Sequence, residues 1–250
     1  MKAKSSLSIL LAAALLAVSV PVVHASKTDN RIESSARQSY VFKTYLKTDD
    51  IKIHSKNGAV VLTGTVSESF HKSLAQETVA GLPGVTSVDN RLETKGAPPT
   101  TNSDAWLRDK VKITLSFHRS VSASATEVDV KDGFVTLRGT AASEAQKELT
   151  TEYVRDVEGV NNVTNLMTVS SSKKSRTVGQ KVDDSSITSQ VKMTLLYHRS
   201  TSALNTTVKT RHGVVILDGK ARNASEKNLV TKLASDVNGV RDVKNNMSIE

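Results

Sequence analysis

The sequence predicts an α+β protein of three tandem small domains. Each domain runs helix–strand–strand–helix–strand, with two helices packed on a three-stranded mixed sheet. Three observations lead there. The stretch Gly58-Ala-Val-Val-Leu-Thr-Gly64 recurs as Gly133-Phe-Val-Thr-Leu-Arg-Gly139 and as Gly213-Val-Val-Ile-Leu-Asp-Gly219. A second signature follows each copy: Gly84-Val-Thr-Ser-Val-Asp-Asn90, Gly159-Val-Asn-Asn-Val-Thr-Asn165 and Gly239-Val-Arg-Asp-Val-Lys-Asn245. The two signatures keep one spacing in every copy, 58 to 84, 133 to 159 and 213 to 239, while the copies start at uneven intervals. Constant internal spacing under variable surroundings marks one folding unit repeated, with length changes confined to connections.

Each element has a local cause. Asn57-Gly58, Asp132-Gly133 and His212-Gly213 suit two-residue type I′ turns, whose central residues both need positive φ. Around them apolar residues alternate: Ile51, Ile53, Val60 and Leu62; then Val128, Val130, Val135 and Leu137; then Val208, Val215 and Leu217. Period two places these side chains on one buried face of a hairpin. A helix follows, with an apolar face made of Leu74, Val79 and Leu82, of Leu149, Tyr153, Val154 and Val157, and of Leu229, Leu233, Ala234 and Val237. Ser143 with Gln146 forms a capping box, and Asn223 with Glu226 plays the same part. The glycine of the second signature is expected to end the helix in a left-handed conformation. Val85, Val88 and Leu92 then open a third strand, matched by Val160, Val163 and Leu166 and by Val240, Val243 and Met247. A right-handed crossover makes this strand parallel to the second. The sequence leaves open whether it lies beside the second strand or the first.

An opening helix precedes the second and third hairpins, where Leu107, Val111 and Leu115 correspond to Ile187, Val191 and Leu195. In the first copy Val41-Phe-Lys-Thr-Tyr-Leu46 matches Val191-Lys-Met-Thr-Leu-Leu196, with a shorter first loop and a longer hairpin. This unit resembles the BON domain, on the strength of the opening-helix residues and the two glycine signatures in fixed order. The resemblance covers nearly the whole chain after its N-terminal segment. It implies an α+β domain with two helices on a small mixed sheet and a non-enzymatic role at the cell envelope. Phospholipid surfaces are the implied partner, and osmotic or envelope stress the implied setting.

Lys2 and Lys4 precede an apolar run from Leu7 to Val20, and Val23-His24-Ala25 closes the segment. That anatomy describes a secretory signal peptide over residues 1–25, since the run falls short of the roughly 20 apolar residues of a spanning helix. The chain is therefore expected to be exported to the periplasm and soluble after cleavage. It has no cysteine to carry a lipid or to form disulfides. The domains are expected at 26–95, 104–169 and 183–250. Linkers are expected at 96–103 and 170–182, the second polar enough to hinge the third unit against the others.

Charge is uneven. Residues 26–98 carry ten Lys and Arg against eight Asp and Glu, 99–172 eight against ten, and 173–250 fourteen against seven. A basic unit attracts anionic partners, so Arg199, Lys209, Arg211, Lys220, Arg222, Lys227, Lys232, Arg241 and Lys244 are the candidate contacts. The partners expected are an anionic phospholipid surface or envelope proteins. The alternative is a chaperone-like or structural protein acting on protein clients without lipid. Export and the scarcity of stacking aromatics argue against nucleic acid, and no small-molecule substrate is evident.

No catalytic residues, metal ligands or cofactor are expected. The histidines lack metal-ligand spacing. There is no Gly-x-Ser-x-Gly elbow and no cysteine nucleophile. The glycines of the first signature bracket a strand, so they do not open a helix as a phosphate loop would. Glu144, Glu148 and Glu152 read as a solvated stripe. Phe117-His-Arg-Ser120 and Tyr197-His-Arg-Ser200 form the one shared polar motif left over. They read as a helix end: an aromatic plug in the core, with His and Arg near the negative pole of their own helix.

Overall fold

The computed structural model describes residues 27–96, 100, 102–170 and 181–250. Residues 1–25, read as a signal peptide, half of the first expected linker and most of the second lie outside them. The first unit comprises α1 (Lys27–Gln38), α2 (Tyr40–Thr44), β1 (Asp50–Lys56), β2 (Ala59–Val66), α3 (Ser69–Ala80) and β3 (Ser87–Thr94). The second has α4 (Asp104–Phe117), β4 (Thr126–Lys131), β5 (Phe134–Ala141), α5 (Glu144–Arg155), β6 (Asn162–Asn165) and β7 (Thr168–Val169). The third repeats it with α6 (Asp184–Tyr197), β8 (Thr206–Arg211), β9 (Val214–Ala221), α7 (Ala224–Ser235), β10 (Asp242–Asn245) and β11 (Ser248–Ile249).

In every unit the second strand is central, antiparallel to the first and parallel to the third. The question of where the third strand lies is thereby answered: it pairs with the second. The turns have the predicted geometry, with φ of 53° at Asn57, Asp132 and His212 and of 80°, 79° and 77° at the following glycines. A Cβ on Gly58 would stand 2.5 Å from the Gly84 carbonyl oxygen. The two signatures therefore meet in space, and glycine is needed where they touch.

Four expectations are corrected. First, the third strand buries Met167, 2% exposed, while Leu166 is 54% exposed. Period two runs Val163, Asn165, Met167, and a leucine at the wrong parity faces water. Second, the helices end before the signature glycine. Gly81, Asp156 and Asp236 cap them in right-handed conformation, and Gly84, Gly159 and Gly239 take φ of 92°, 97° and 88° in the turn beyond.

Third, the opening helix of the first unit is α1, not Val41–Leu46. Asp29, Asp104 and Asp184 each stand 28 residues before the turn and accept hydrogen bonds from both turn N–H groups. By that register Ala36, not Val41, corresponds to Val191. The helix breaks at Ser39, whose Oγ bonds the Ala36 carbonyl and accepts from the Phe42 N–H.

Fourth, the third unit is not hinged free of the others. Each unit has its own apolar cluster, but the first unit's includes Ile113 and Phe117 of the second and Met193 of the third. Helix α6 lies at the centre. One face, Ile187, Val191 and Leu195, packs on its own sheet. The opposite side meets the first unit: Ser189 receives the Thr78 hydroxyl (2.9 Å), Tyr45 donates to Gln190, and Asp183 and Ser186 accept the Tyr40 and Val41 N–H groups freed at the helix break. These contacts explain why Ser186, Ser189 and Gln190 are buried although polar, and the Ser185 hydroxyl donates to Asp183.

Candidate functional site

The helices cover one face of each sheet and leave the other open. In the third unit side-chain alternation assigns Lys209 and Arg211 of β8, Lys220 of β9 and Lys244 of β10 to that open face. Lys209 and Lys244 both pair with Ile216, so they flank it in one row; Arg211 and Asp242 flank Val214 in the next. Neighbouring strands stand about 4.8 Å apart, which brings the two lysine backbones within roughly 10 Å. Arg211 and Lys220 share the face but sit near opposite ends of the hairpin. Two carboxylates, Asp218 and Asp242, accompany the four cations, and Asp218 accepts a hydrogen bond from Asn246.

The other five predicted residues are placed differently. Arg222 pairs with the buried Glu226 and donates to the Ser200 carbonyl. Burial works to raise the Glu226 carboxyl, but hydrogen bonds from Arg222 and Ser202 outweigh it and hold it down at about 2. Lys227 donates to the Met247 carbonyl and closes the end of α7 onto the third strand. Lys232 is exposed on α7, away from the open face. Arg241 lies along the hairpin turn, its side chain against Gly213. Arg199 is committed to the second unit.

At the matching positions of its open face the second unit has Asp129, Lys131, Thr140 and Thr164, and Asp129 is taken by an ion pair with Arg138. Of these two faces, the third unit's is the positive one.

The His-Arg-Ser motif acts between units. The Arg119 N–H donates to the Asp236 carbonyl and the Arg199 N–H to the Asp156 carbonyl, both at 3.0 Å. Asn238 N–H donates to the Phe117 carbonyl, and Glu158 N–H to that of Tyr197. The guanidinium of Arg119 reaches the carbonyls of Ser235 and Val240, and that of Arg199 reaches those of Arg155, Val157 and Val160. Each unit thus caps the carbonyl-rich end of the other's second helix, where a cation is favoured. The sequence reading had the cation right and the helix wrong.

His118 stacks on Tyr153 at 3.8 Å and lies 3.2 Å from the Asp236 carboxylate, which also accepts the Tyr153 and Ser120 hydroxyls. Burial works to raise that carboxyl, and these contacts outweigh it and hold it below the usual range. His198 is 3.6 Å from Asp156. Burial lowers its basicity more than Asp156 restores it.

One constellation was missed. Ser67, His71 and Asp49 meet in the first unit, with His71 Nδ1 at 2.5 Å from Asp49 and 3.3 Å from the Ser67 hydroxyl. Both partners bond the same ring nitrogen, and Ser67 also donates to Asp49. The ring cannot relay a proton between them as a nucleophilic triad requires. The asparagine of the second signature was also unassigned. Asn90, Asn165 and Asn245 donate to the Lys72, Lys147 and Lys227 carbonyls and accept an N–H two residues on, tying helix to sheet. Among the described residues no three His, Asp or Glu gather in a metal-holding group, and no helix is long and apolar enough to cross a membrane.

Comparison with known proteins agrees with the repeat. The BON domain family model matches residues 28–96, 103–171 and 183–250. Osmotically-inducible protein Y of Escherichia coli (strain K12) is 29% identical over 201 residues, covering 79% of this chain and 96% of that protein. A 21 kDa hemolysin of Actinobacillus pleuropneumoniae is 31% identical over 115 residues, 45% of this chain and 59% of its own. A structural protein of the type III secretion system of Chlamydia trachomatis aligns at 20% identity over 88% of this chain and 91% of its own, with a TM-score of 0.24. That superposition is too loose to bear on how the units are arranged.

Proposed function

The chain belongs to the BON-domain family, and on that premise we propose that it is a non-enzymatic binding protein of the bacterial periplasm. In this reading it is exported by residues 1–25, serves under osmotic or envelope stress, and docks on anionic phospholipid surfaces. The similarity to an osmotically inducible protein supports the setting. The observation that carries the docking is the open sheet face of the third unit, where Lys209, Arg211, Lys220 and Lys244 lie with Ile216 and Val214 between them. Each suitably placed Lys or Arg contributes about 1 kcal/mol near an anionic surface, over a Debye length of about 10 Å at 0.1 M salt. Four cations give adsorption that is reversible and salt-sensitive.

The test is co-sedimentation of the full mature chain with phosphatidylglycerol-rich vesicles. Lys209→Glu with Lys244→Glu should lower affinity by at least roughly 30-fold, two contacts of about 1 kcal/mol each. Lys131→Glu on the second unit should change it little. Binding indifferent to salt, or to the two reversals, would sink the electrostatic account and leave an envelope protein as the partner.

A further inference from the structure

Strand β8 is the outer strand of its sheet, pairing with β9 alone. In a two-residue hairpin the residues flanking the turn exchange hydrogen bonds, so bonded positions alternate outward from it. Arg211, Lys209 and Thr207 therefore bond to β9, while Thr206, Val208 and Thr210 point their backbone groups away from the sheet. The Thr206 N–H is used by the Ala203 carbonyl. For the N–H and C=O groups of Val208 and Thr210 the described residues supply no partner.

The first unit shows what closing such an edge takes. Its equivalents of Val208 and Thr210 are Ile53 and Ser55. Glu33 accepts the Ser55 N–H at 2.9 Å, and Arg37 donates to the Ile53 carbonyl at 3.2 Å. The residues standing for Glu33 and Arg37 in the third unit are Thr188 and Lys192. Both are engaged elsewhere: the Thr188 hydroxyl donates to that of Thr210, and Lys192 pairs with Glu77. One edge is blocked by side chains and the other is open.

A groove between the first and third units runs beside this open edge. A hollow of about 340 Å³ at one end is lined by Val208, Met193, Leu196 and Leu204, facing Gln76 and Glu77 of α3. A second, of about 560 Å³, lies at Thr210 and Arg211, facing Gln38 and Pro83. Leu204 is 94% exposed and Leu196 46%, and the second unit has Ser124 and Ser116 at the same places. Two leucines in water beside unpaired strand groups call for an occupant that supplies both main-chain partners and apolar side chains.

We propose that this groove captures an extended polypeptide segment, which adds to β8 as a further strand and seats an apolar side chain against Leu196 and Leu204. Main-chain bonds to Val208 and Thr210 give affinity without a sequence code, and the leucine hollow selects segments of alternating polarity. Arg211 at the far end favours an acidic residue there. The partner is an unfolded or strand-forming segment of another protein. This inference does not depend on the lipid-docking reading.

The probe is a fluorescein-tagged, C-amidated peptide of alternating threonine and leucine ending in aspartate, titrated with the full mature chain and read by fluorescence anisotropy. Binding should slow hydrogen exchange at the Val208 and Thr210 amides. A peptide with proline replacing one central threonine and one central leucine should bind at least tenfold more weakly, since in either strand direction this removes an N–H that faces β8. Leu196→Ser with Leu204→Ser, both at exposed positions, should also weaken binding at least tenfold and leave vesicle binding unchanged. Three results would each overturn the proposal: absent binding, equal binding of the proline peptide, or binding without protection at Val208 and Thr210. Loss of vesicle binding in the double leucine variant would instead make these leucines a membrane anchor, and would equally overturn it.

Discussion

The molecule joins its units in two ways. The second and third units clasp reciprocally: each lends His, Arg and an aromatic carbonyl and receives the same from the other. The first unit joins one-sidedly. It has Phe42-Lys-Thr-Tyr45 where the others have the His-Arg-Ser motif, and it offers α3 and a broken helix to the flank of α6. The contrast teaches that one fold repeated does not imply one interface repeated. A self-complementary contact needs the motif on both partners, and only two of the three units carry it.

The largest expected effect tests whether the joints make the chain cooperate. Leu62, Leu137 and Leu217 are equivalent and fully buried. Replacing any with Ala should cost about 2–5 kcal/mol through the cavity left behind. Because α6 belongs to both joints, Leu217→Ala should also speed amide exchange in α3 and α5, whereas Leu62→Ala should spare the clasp. Denaturant unfolding with hydrogen exchange measures both, and protection in α3 unchanged by Leu217→Ala would break the comparison.

A smaller effect tests the clasp's symmetry. Arg119→Ala and Arg199→Ala should each destabilise by roughly 1.5–3 kcal/mol, the range for hydrogen bonds to a charged group. Their double variant should cost less than the sum, because one broken half already loosens the other. Strictly additive losses would show two independent contacts.

The smallest effect concerns pH, where two contacts between units should respond in opposite senses. Burial depresses the His198 basicity below its usual value. Its contribution is therefore present above about pH 6.5 and lost as pH falls through the folded value. On the first unit, facing α4 of the second, burial and the neighbouring Asp109 push the Glu68 carboxyl up to about 7. A raised acid contributes fully below its unfolded value and loses that contribution as pH rises towards 7. Glu68→Gln should accordingly stabilise the chain at pH 8 and not at pH 4. His198→Asn should flatten the loss of clasp protection between pH 7 and pH 5. Thermal unfolding and hydrogen exchange across that range would show whether the signs differ.

Much of each unit was legible. The turns, the period-two hairpins and the Ser143 and Asn223 helix caps rest on contacts close in sequence, and residue type states those preferences directly. Reading failed where identity and parity conflicted, as when Leu166 drew a choice that Met167 satisfies. It failed again where the informative residue was a lone carboxylate: Asp29 stands 28 residues before its turn, and that recurring distance would have placed α1. Of the nine basic residues, the sequence could not separate the four on the open face from Arg199, Arg222 and Lys227, whose charges are spent on protein carbonyls and a buried glutamate.

The sequence by itself determined three copies of one α+β unit, the faces of the hairpin strands, and a positive charge concentrated in the last copy. Local geometry and hydrophobic periodicity are short-range, and they are written into every turn and every second residue. Only the tertiary structure decided how the copies join, why α6 buries serines and glutamine, and which strand edge is closed. Those outcomes depend on main-chain carbonyls and N–H groups that every residue carries alike. Only packing across units decides which are met and which are left free.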